Sequence, residues 1–462
     1  MQVTGQRRLA PGSAGARGPG RALRALVALQ LIALLALTLV TVAKFRLWAD
    51  IDERPHYDYV QKLVEEQRIP RPTDLVSPEV QAITDRTWPR PSQTDRASIG
   101  QAGRSFEAIQ PPLYYLAAAP AFAAVGDHRD KVYALRAFDA LLLALTVLLL
   151  WGLARAVAAA PASARGGAAA VRAGPAALTG LSAALLVLLW PGVIVRGVTV
   201  GNTPLELALT AGFLLALWRA DGATRARPML LAAVLLGLCL LTKLTLVMLV
   251  PLFLIVLWRR ARAGAPKAQW ALVAVPPLLL APWLALNVDR YGSPTVDAVG
   301  SPGVAGPVQT SGVIDRIQGM PHWAAHLLDG VLPQEWLVEF DVWWVRLVSD
   351  GLVLGLVAVG IAALVAGRRE WRAWFLALPA IAGLGLLVAG YTFTSSIEIF
   401  LLRYNYPALP PLALGAGVVL AARIPPRVQT AVLGVGTLAV FALWVRLAGF
   451  FWFNDIGSKL GI

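Results

Sequence analysis

The chain has 462 residues, 57% hydrophobic and only 15% charged, with a mean hydropathy of +0.63. That balance excludes a soluble domain and specifies a polytopic membrane protein. The net charge of +14 does not point to nucleic acid, because the arginines gather in short gaps between apolar runs, as expected of cytoplasmic loops. A lone cysteine, Cys239, excludes an internal disulfide and a thiolate metal cluster.

Residues 1–21 contain Arg7, Arg8, Arg17 and Arg21 and no acidic residue, and read as a disordered cytoplasmic tail. The remainder, 22–462, reads as one transmembrane domain. Its first helix, Ala22 to Phe45, is too long for a signal-peptide core and is expected to stay uncleaved, running from the cytoplasm outward. A long outer loop, 48–131, follows. It opens on WADIDERPHYDY, where Asp50, Asp52, Glu53, His56 and Asp58 crowd together at the mouth of a membrane helix. A carboxylate in such a place can serve as a general base on a hydroxyl or hold a divalent metal, and the residues leave both open. His56 reads as a solvated loop histidine.

Residues 54–70 are expected to form an amphipathic helix with Tyr59, Leu63 and Ile69 on the bilayer surface. The stretch 70–104, rich in Pro, Ser, Thr, Asp and Arg, is expected to be irregular. The run 106–122, FEAIQPPLYYLAAAPAF, reads as an elbow broken by Pro111, Pro112 and Pro120. Glu107 and Gln110 share a face if its start is helical. Tyr114 and Tyr115 suit either sugar stacking or an interfacial belt.

Further helices are expected at 132–157, 175–195, 202–218, 229–241, 245–258 and 270–288, then at 346–366, 373–391, 404–422 and 428–448. Those at 229–241 and 245–258 are short against the roughly 20 residues of a span. They join at Thr242–Lys243 and suggest a thin pair under a water-filled cavity. With about eleven alternating helices, the Arg-rich gaps all fall on one side. The segments 48–131 and 289–345 then share the outer side with the C-terminus. The second outer loop carries His322 and His326, four apart without an obvious third ligand, a Gly/Pro/Ser-rich stretch at 300–312, and Trp323, Trp336, Trp343 and Trp344 suited to membrane anchoring. No nucleotide-binding fingerprint is present. Arg196, Lys243 and Arg403 stand at outer-side helix turns.

DERPHYDYVQKLVEEQRIP resembles the start of the first outer loop of polyprenyl-phosphate-dependent GT-C glycosyltransferases, in the branch of protein O-mannosyltransferases and aminoarabinose transferases. FEAIQPPLYYLAAAP is similar to the elbow of that group. GNTPLELALT, LLTKLTLVMLVP, NVDRYGSP and FLLRYNYPALPPLALG resemble further landmarks, in order, so that the resemblance covers about 45–420. It implies a GT-C-like all-α architecture and inverting transfer of a sugar from a polyprenyl-phosphate donor to a hydroxyl on the extracytoplasmic side of the cell membrane. It places the catalytic acidic residue, the base for the acceptor hydroxyl, at Asp52, with Glu53 beside it and Asp50 competing. The donor-phosphate candidates are Arg403, Lys243 and Arg196. Glu107, Gln110, Tyr114 and His56 are candidates for the acceptor side. Gln110 stands where the family often carries Lys or His, so phosphate neutralisation there is lost. The resemblance fixes no cofactor and leaves a divalent metal ion open. The acceptor is a protein, a polysaccharide or a glycolipid, with membrane lipids around. A lipid-linked-glycan flippase or a non-catalytic scaffold are the competing classes. The loop-level acidic cluster and the lack of an internal repeat argue against a transporter.

Overall fold

The computed structural model describes residues 18–45, 47–48, 52–87, 104–159, 167–221, 223, 225–294, 331–332, 343–394 and 402–448. Their regular elements are all helices, and one antiparallel bridge pairs Leu75 with Arg104. In chain order they are α1 (Gly18–Lys44), α2 (Glu53–Glu65), α3 (Pro78–Thr87), α4 (Leu113–Ala123), α5 (His128–Ala159), α6 (Gly167–Leu188), α7 (Pro191–Val198) and α8 (Thr203–Asp221). Then follow α9 (Arg227–Thr242), α10 (Val250–Arg262), α11 (Val275–Tyr291), α12 (Trp343–Ala366), α13 (Trp371–Thr394), α14 (Leu409–Ala421) and α15 (Pro426–Ala448). Tighter 3-10 turns cover Phe106–Ile109, Leu244–Leu249, Lys267–Ala274 and Leu402–Ala408.

The chain is an all-α polytopic membrane protein. Seven described segments are long and apolar enough to cross a membrane, or eight if the bent pair α6–α7 is one span. The expected short helix 245–258 is continuous with the preceding 3-10 turn and reaches Leu244–Arg262, 19 residues. By contrast α8, α9 and α14 lie outside the set of seven. Exposed leucines and valines on α1, α5, α12 and α15, such as Leu35, Leu148, Leu347 and Val445, form the apolar outer surface a bilayer requires.

The expected helix 175–195 is broken. α6 and α7 meet at 75° across Leu189 and Trp190. Pro191 has no N–H to continue the ladder, and it drives Trp190 into an extended conformation (φ −58°, ψ 136°). The bend swings Arg196 into the protein. Polar ties cross the bundle as well. Gln30 of α1 donates to Thr437 of α15 (3.0 Å) and accepts from Ser182 of α6 (2.8 Å), which satisfies groups lipid cannot.

α6 and α14 cross at closest range where Gly180 faces Gly417. A Cβ built on Gly417 would lie 2.9 Å from the Gly180 Cα and 2.9 Å from the Thr179 carbonyl oxygen. Both obstacles are backbone and cannot rotate away. Gly417→Val is therefore expected to cost about 1–3 kcal/mol through overpacking, read as a lower thermal midpoint in detergent with the helical circular dichroism retained.

A second core lies beside the main one. Trp48, Tyr57, Tyr59, Tyr114, Tyr115 and Phe122 fill it, with Val132 and Leu135 from the start of α5. Two expectations are corrected here. Tyr59 does not rest on the bilayer: it is fully buried and stacks on Tyr115 at 3.5 Å, while Leu63 and Ile69 pack against the same core. The stretch 70–104 is also not wholly irregular, since it contains α3. Aromatic partners supplied by α4 explain the first correction: a periodic apolar face is buried wherever another element covers it. The elbow is real, but Pro120 sits inside α4 without breaking it, and Gln110, Pro111 and Pro112 separate it from the 3-10 turn.

Candidate functional site

The site is a polar cleft of about 480 Å³, open to solvent, where the start of α2 meets the Phe106–Gln110 turn, α7, the loop before α8, Lys243 and Arg403. Five segments far apart in sequence converge on it, and local packing fixes each.

α2 is held at its first turn by Glu53. Its carboxylate forms a two-pronged ion pair with Arg136 of α5, with Arg136 Nε to Oε1 at 2.6 Å and Nη2 to Oε2 at 2.6 Å. The Trp48 and Val200 amides donate to the same carboxylate at 3.0 and 3.3 Å. Arg136 also donates to the Phe45 carbonyl (2.8 Å), tying the end of α1 into the assembly. Glu53 and Arg136 are both fully buried. Glu53 is therefore a structural anchor that does not line the cleft, contrary to its place among the catalytic candidates.

Tyr114 is likewise corrected. It is fully buried, donates to Asp139 (3.0 Å) and accepts from the Gly201 amide (3.1 Å). It shapes the 199–202 loop from behind and neither stacks on a ligand nor faces the bilayer. Asp58 fastens the far side of α2. It accepts from Lys62 (2.7 Å), the Ser77 amide (2.8 Å) and Ser105. This pins Ser105, two residues before Glu107.

Asp52 is the N-cap residue of α2, yet its side chain caps nothing. Its Oδ2 points into the cleft and accepts from Arg196 Nη1 at 2.6 Å and Arg403 Nη1 at 3.1 Å. Burial alone would raise the Asp52 pKa. The Arg403 and Arg196 guanidiniums, with His56 adding to them, outweigh burial and hold the carboxyl well below the ordinary range. Two of the three phosphate candidates are thus brought onto the principal carboxylate candidate. The third, Lys243, lies in extended backbone between α9 and the 3-10 turn (φ −159°, ψ 131°). Its ammonium reaches Glu206 at 3.0 Å and sits 5.3 Å over the Tyr404 ring.

His56 is buried, not solvated. Its Nδ1 lies 2.8 Å from the Tyr115 hydroxyl and its Nε2 3.8 Å from Glu107 Oε2. Burial pushes its pKa down to about 3 despite the Asp52 charge, so it is neutral at pH 7. Glu107 and Gln110 both line the cleft, as their spacing suggests. Burial, and then the Asp52 charge, raise the Glu107 pKa to about 7. Its Oε2 is buried without a hydrogen-bond partner.

Asp50, His322, His326, Trp323, Trp336 and residues 300–312 lie outside the described residues. Of the expected anchors at the start of α12, Trp343 is exposed and Trp344 partly buried. Among the described residues no three His, Cys, Asp or Glu side chains are grouped to hold a metal ion. Sequence reasoning singled out GNTPLELALT as a landmark without giving Asn202 a role. Asn202 lines the cleft, is 2% exposed, and its Nδ2 has no partner. Thr199, Thr203 and Tyr404 join the wall. The signal for Asn202 was its place just before α8, where the chain turns from α7. The Glu53–Arg136 pair, 83 residues apart, had no signal at all.

The cleft combines three cationic side chains, one ionised carboxylate and one carboxyl that titrates near neutrality. It is suited to an anion with several oxygens next to a group that loses a proton.

No protein-family model matches the chain, and no curated protein matches it. Among solved structures it is similar to the archaeal oligosaccharyltransferase AglB from Archaeoglobus fulgidus, in complex with an inhibitory peptide and a dolichol-phosphate. The identity is 14% and the TM-score 0.46, over 94% of this chain and 59% of that one. The chain thus spans about three fifths of that structure's length.

Proposed function

We propose that this protein is a GT-C-type membrane glycosyltransferase that moves a sugar from a polyprenyl-phosphate donor to a hydroxyl acceptor, with inversion, in the cleft at the start of α2. The observation that carries this reading is the convergence of Asp52, Arg196, Lys243 and Arg403 on one polar cleft beside membrane-length helices. The family-like motifs carry Asp52, Lys243 and Arg403, and Arg196 stands at an outer-side helix turn just before one of them. In this reading the cationic groups grip the phosphate, a forked guanidinium being matched to its oxygens. Asp52 takes the proton of the acceptor hydroxyl as its oxygen bonds to the anomeric carbon. The carbon–oxygen bond to phosphate breaks and its electron pair leaves on the lipid phosphate, where the cations stabilise it. Glu107 and Gln110 stand beside the acceptor, with Glu107 the alternative base. On the arginine bias of the gaps between apolar runs, the cleft faces the extracytoplasmic side. The acceptor is a protein, a polysaccharide or a glycolipid.

The test is transfer from a panel of synthetic polyprenyl-phosphate sugars to membrane-extract acceptors by the purified protein. Product with one donor supports the reading and names the sugar. Donor binding without product from any of them favours a flippase.

Glu107 gives the reaction a pH signature. As pH rises through about 7 it ionises and places a second negative charge beside Asp52. A polyprenyl-phosphate sugar is a diester whose own charge is constant in this range. Donor affinity is therefore expected to fall with rising pH from about 7. A tenfold loss would correspond to a one-unit upward shift of the Glu107 pKa on donor binding. Glu107→Gln should bind donor with a flat profile, and a wild-type profile flat from pH 6 to 8.5 would contradict the assignment.

A further inference from the structure

We propose that Asp52 is a built-in stand-in for the donor phosphate: without donor it occupies Arg196 and Arg403, and the lipid phosphate displaces it from them, which frees the carboxylate to work as a base only when donor is loaded. The inference rests on the glycosyltransferase reading and adds an order of events to it.

Three observations carry it. A single oxygen, Asp52 Oδ2, takes both guanidiniums, at 2.6 and 3.1 Å. The two arginines arrive from unrelated elements, α7 and the Leu402–Ala408 turn, and meet on this carboxylate at the wall of an open cleft. Asp52 also forgoes the capping bond that its position on α2 offers, a bond such a residue ordinarily makes. Other donors remain at hand in the cleft for an incoming anion: the Lys243 ammonium, and Asn202 Nδ2, buried and without a partner.

A phosphate diester presents two oxygens sharing one negative charge. It replaces the carboxylate on the guanidiniums charge for charge, and it offers a second oxygen to Lys243 and Asn202. Once the arginines turn to phosphate, the Asp52 carboxylate loses the interactions that hold it in its unreactive, acidic form. Its basicity rises toward the ordinary carboxylate range at the moment a leaving group is present. By linkage, the free energy that Asp52 gives up on release opposes donor binding by the same amount.

That reciprocity provides the test. Equilibrium binding of a long-chain polyprenyl methyl phosphate, a diester with the single charge of the donor, and separately of inorganic phosphate, is measured on the full chain in lipid nanodiscs. Wild type, Asp52→Asn, Asp52→Ala and Arg403→Gln are compared at one pH. The stand-in requires Asp52→Asn and Asp52→Ala to bind the lipid phosphate about tenfold tighter than wild type, and Arg403→Gln to bind it weaker. Tightening with the lipid alone assigns the cleft to lipid phosphate. Tightening with both ligands shows that the phosphate head suffices, and either result upholds the exchange. Equal or weaker binding by both Asp52 variants, with binding still lost in Arg403→Gln, overturns the stand-in and leaves the phosphate cleft standing. Unchanged binding in Arg403→Gln overturns the phosphate reading itself. Thermal unfolding of each unliganded variant, monitored in the same nanodiscs, separates these effects from misfolding.

Discussion

Asp52→Asn is expected to lower the turnover number for sugar transfer by about 10²–10⁴, the range removed with a general base, and to leave KM for the donor unchanged or lower. The substitution keeps the shape of the side chain and removes its charge and basicity. The protein anchors the start of α2 without Asp52: Glu53 is clamped by Arg136 on two oxygens, and Asp58 by Lys62 and Ser77. The backbone that carries position 52 should therefore stay in place, and the loss should fall on the chemical step. A loss confined to KM, with turnover intact, would reassign Asp52 to binding. Undiminished transfer would move the base to Glu107, whose partnerless Oε2 lines the same cleft. The pH profile separates these further. With Asp52 as base in the donor-loaded enzyme, turnover is flat through neutrality. With Glu107 as base, it rises with pH above about 7, since donor binding raises the Glu107 pKa further and the ionised form is the one that accepts a proton.

How much of this was legible in the sequence depends on what each feature rests on. Apolar runs reported seven of the expected spans, or eight with the bent pair, because membrane thickness imposes a length that a sequence shows. The cleft residues Asp52, His56, Glu107, Gln110, Arg196, Lys243 and Arg403 were all named from the sequence, and all line one cavity. An ionisable residue at the end of an apolar run is conspicuous by its cost there. What the sequence did not disclose is which charge meets which. Asp52 and Glu53 are neighbours with the same chemistry, yet one faces the cleft and the other a buried arginine. The N-cap position turns the two side chains apart, and α5 supplies Arg136 behind only one of them. Tyr59 read as bilayer-facing from the amphipathic pattern of 54–70, and Tyr114 and Tyr115 as either sugar-stacking or belt residues. Their burial depends on α2 folding back over α4, a tertiary event without local signal. The 75° bend at Trp190–Pro191 was marked by its proline, and a straight helix through that point would have left Arg196 away from Asp52.

Arg136→Met should be the most destabilising of the substitutions considered. Arg136 and Glu53 have no side-chain exposure, and their carboxylate–guanidinium fork joins α2, α5, the Phe45 carbonyl at the end of α1 and, through Glu53, the amide of Val200. Removing one partner leaves a charge with nothing to offset its desolvation, and breaking such a pair costs about 3–5 kcal/mol. The double variant Glu53→Gln/Arg136→Met removes both charges. It should recover part of the thermal midpoint, because the Gln carbonyl oxygen still accepts from one of the Trp48 and Val200 amides, which Glu53 serves on separate oxygens. Midpoints in detergent for wild type, Arg136→Met, Glu53→Gln and the double variant form a cycle whose coupling reports the pair. Coupling near zero would mean that the pair does not hold the start of α2. The reading of Glu53 as anchor rather than catalyst would then fail, even with Asp52 retained as base. Strong coupling, with transfer restored in the double variant, would separate the neighbouring carboxylates by experiment: one holds the helix that presents the other.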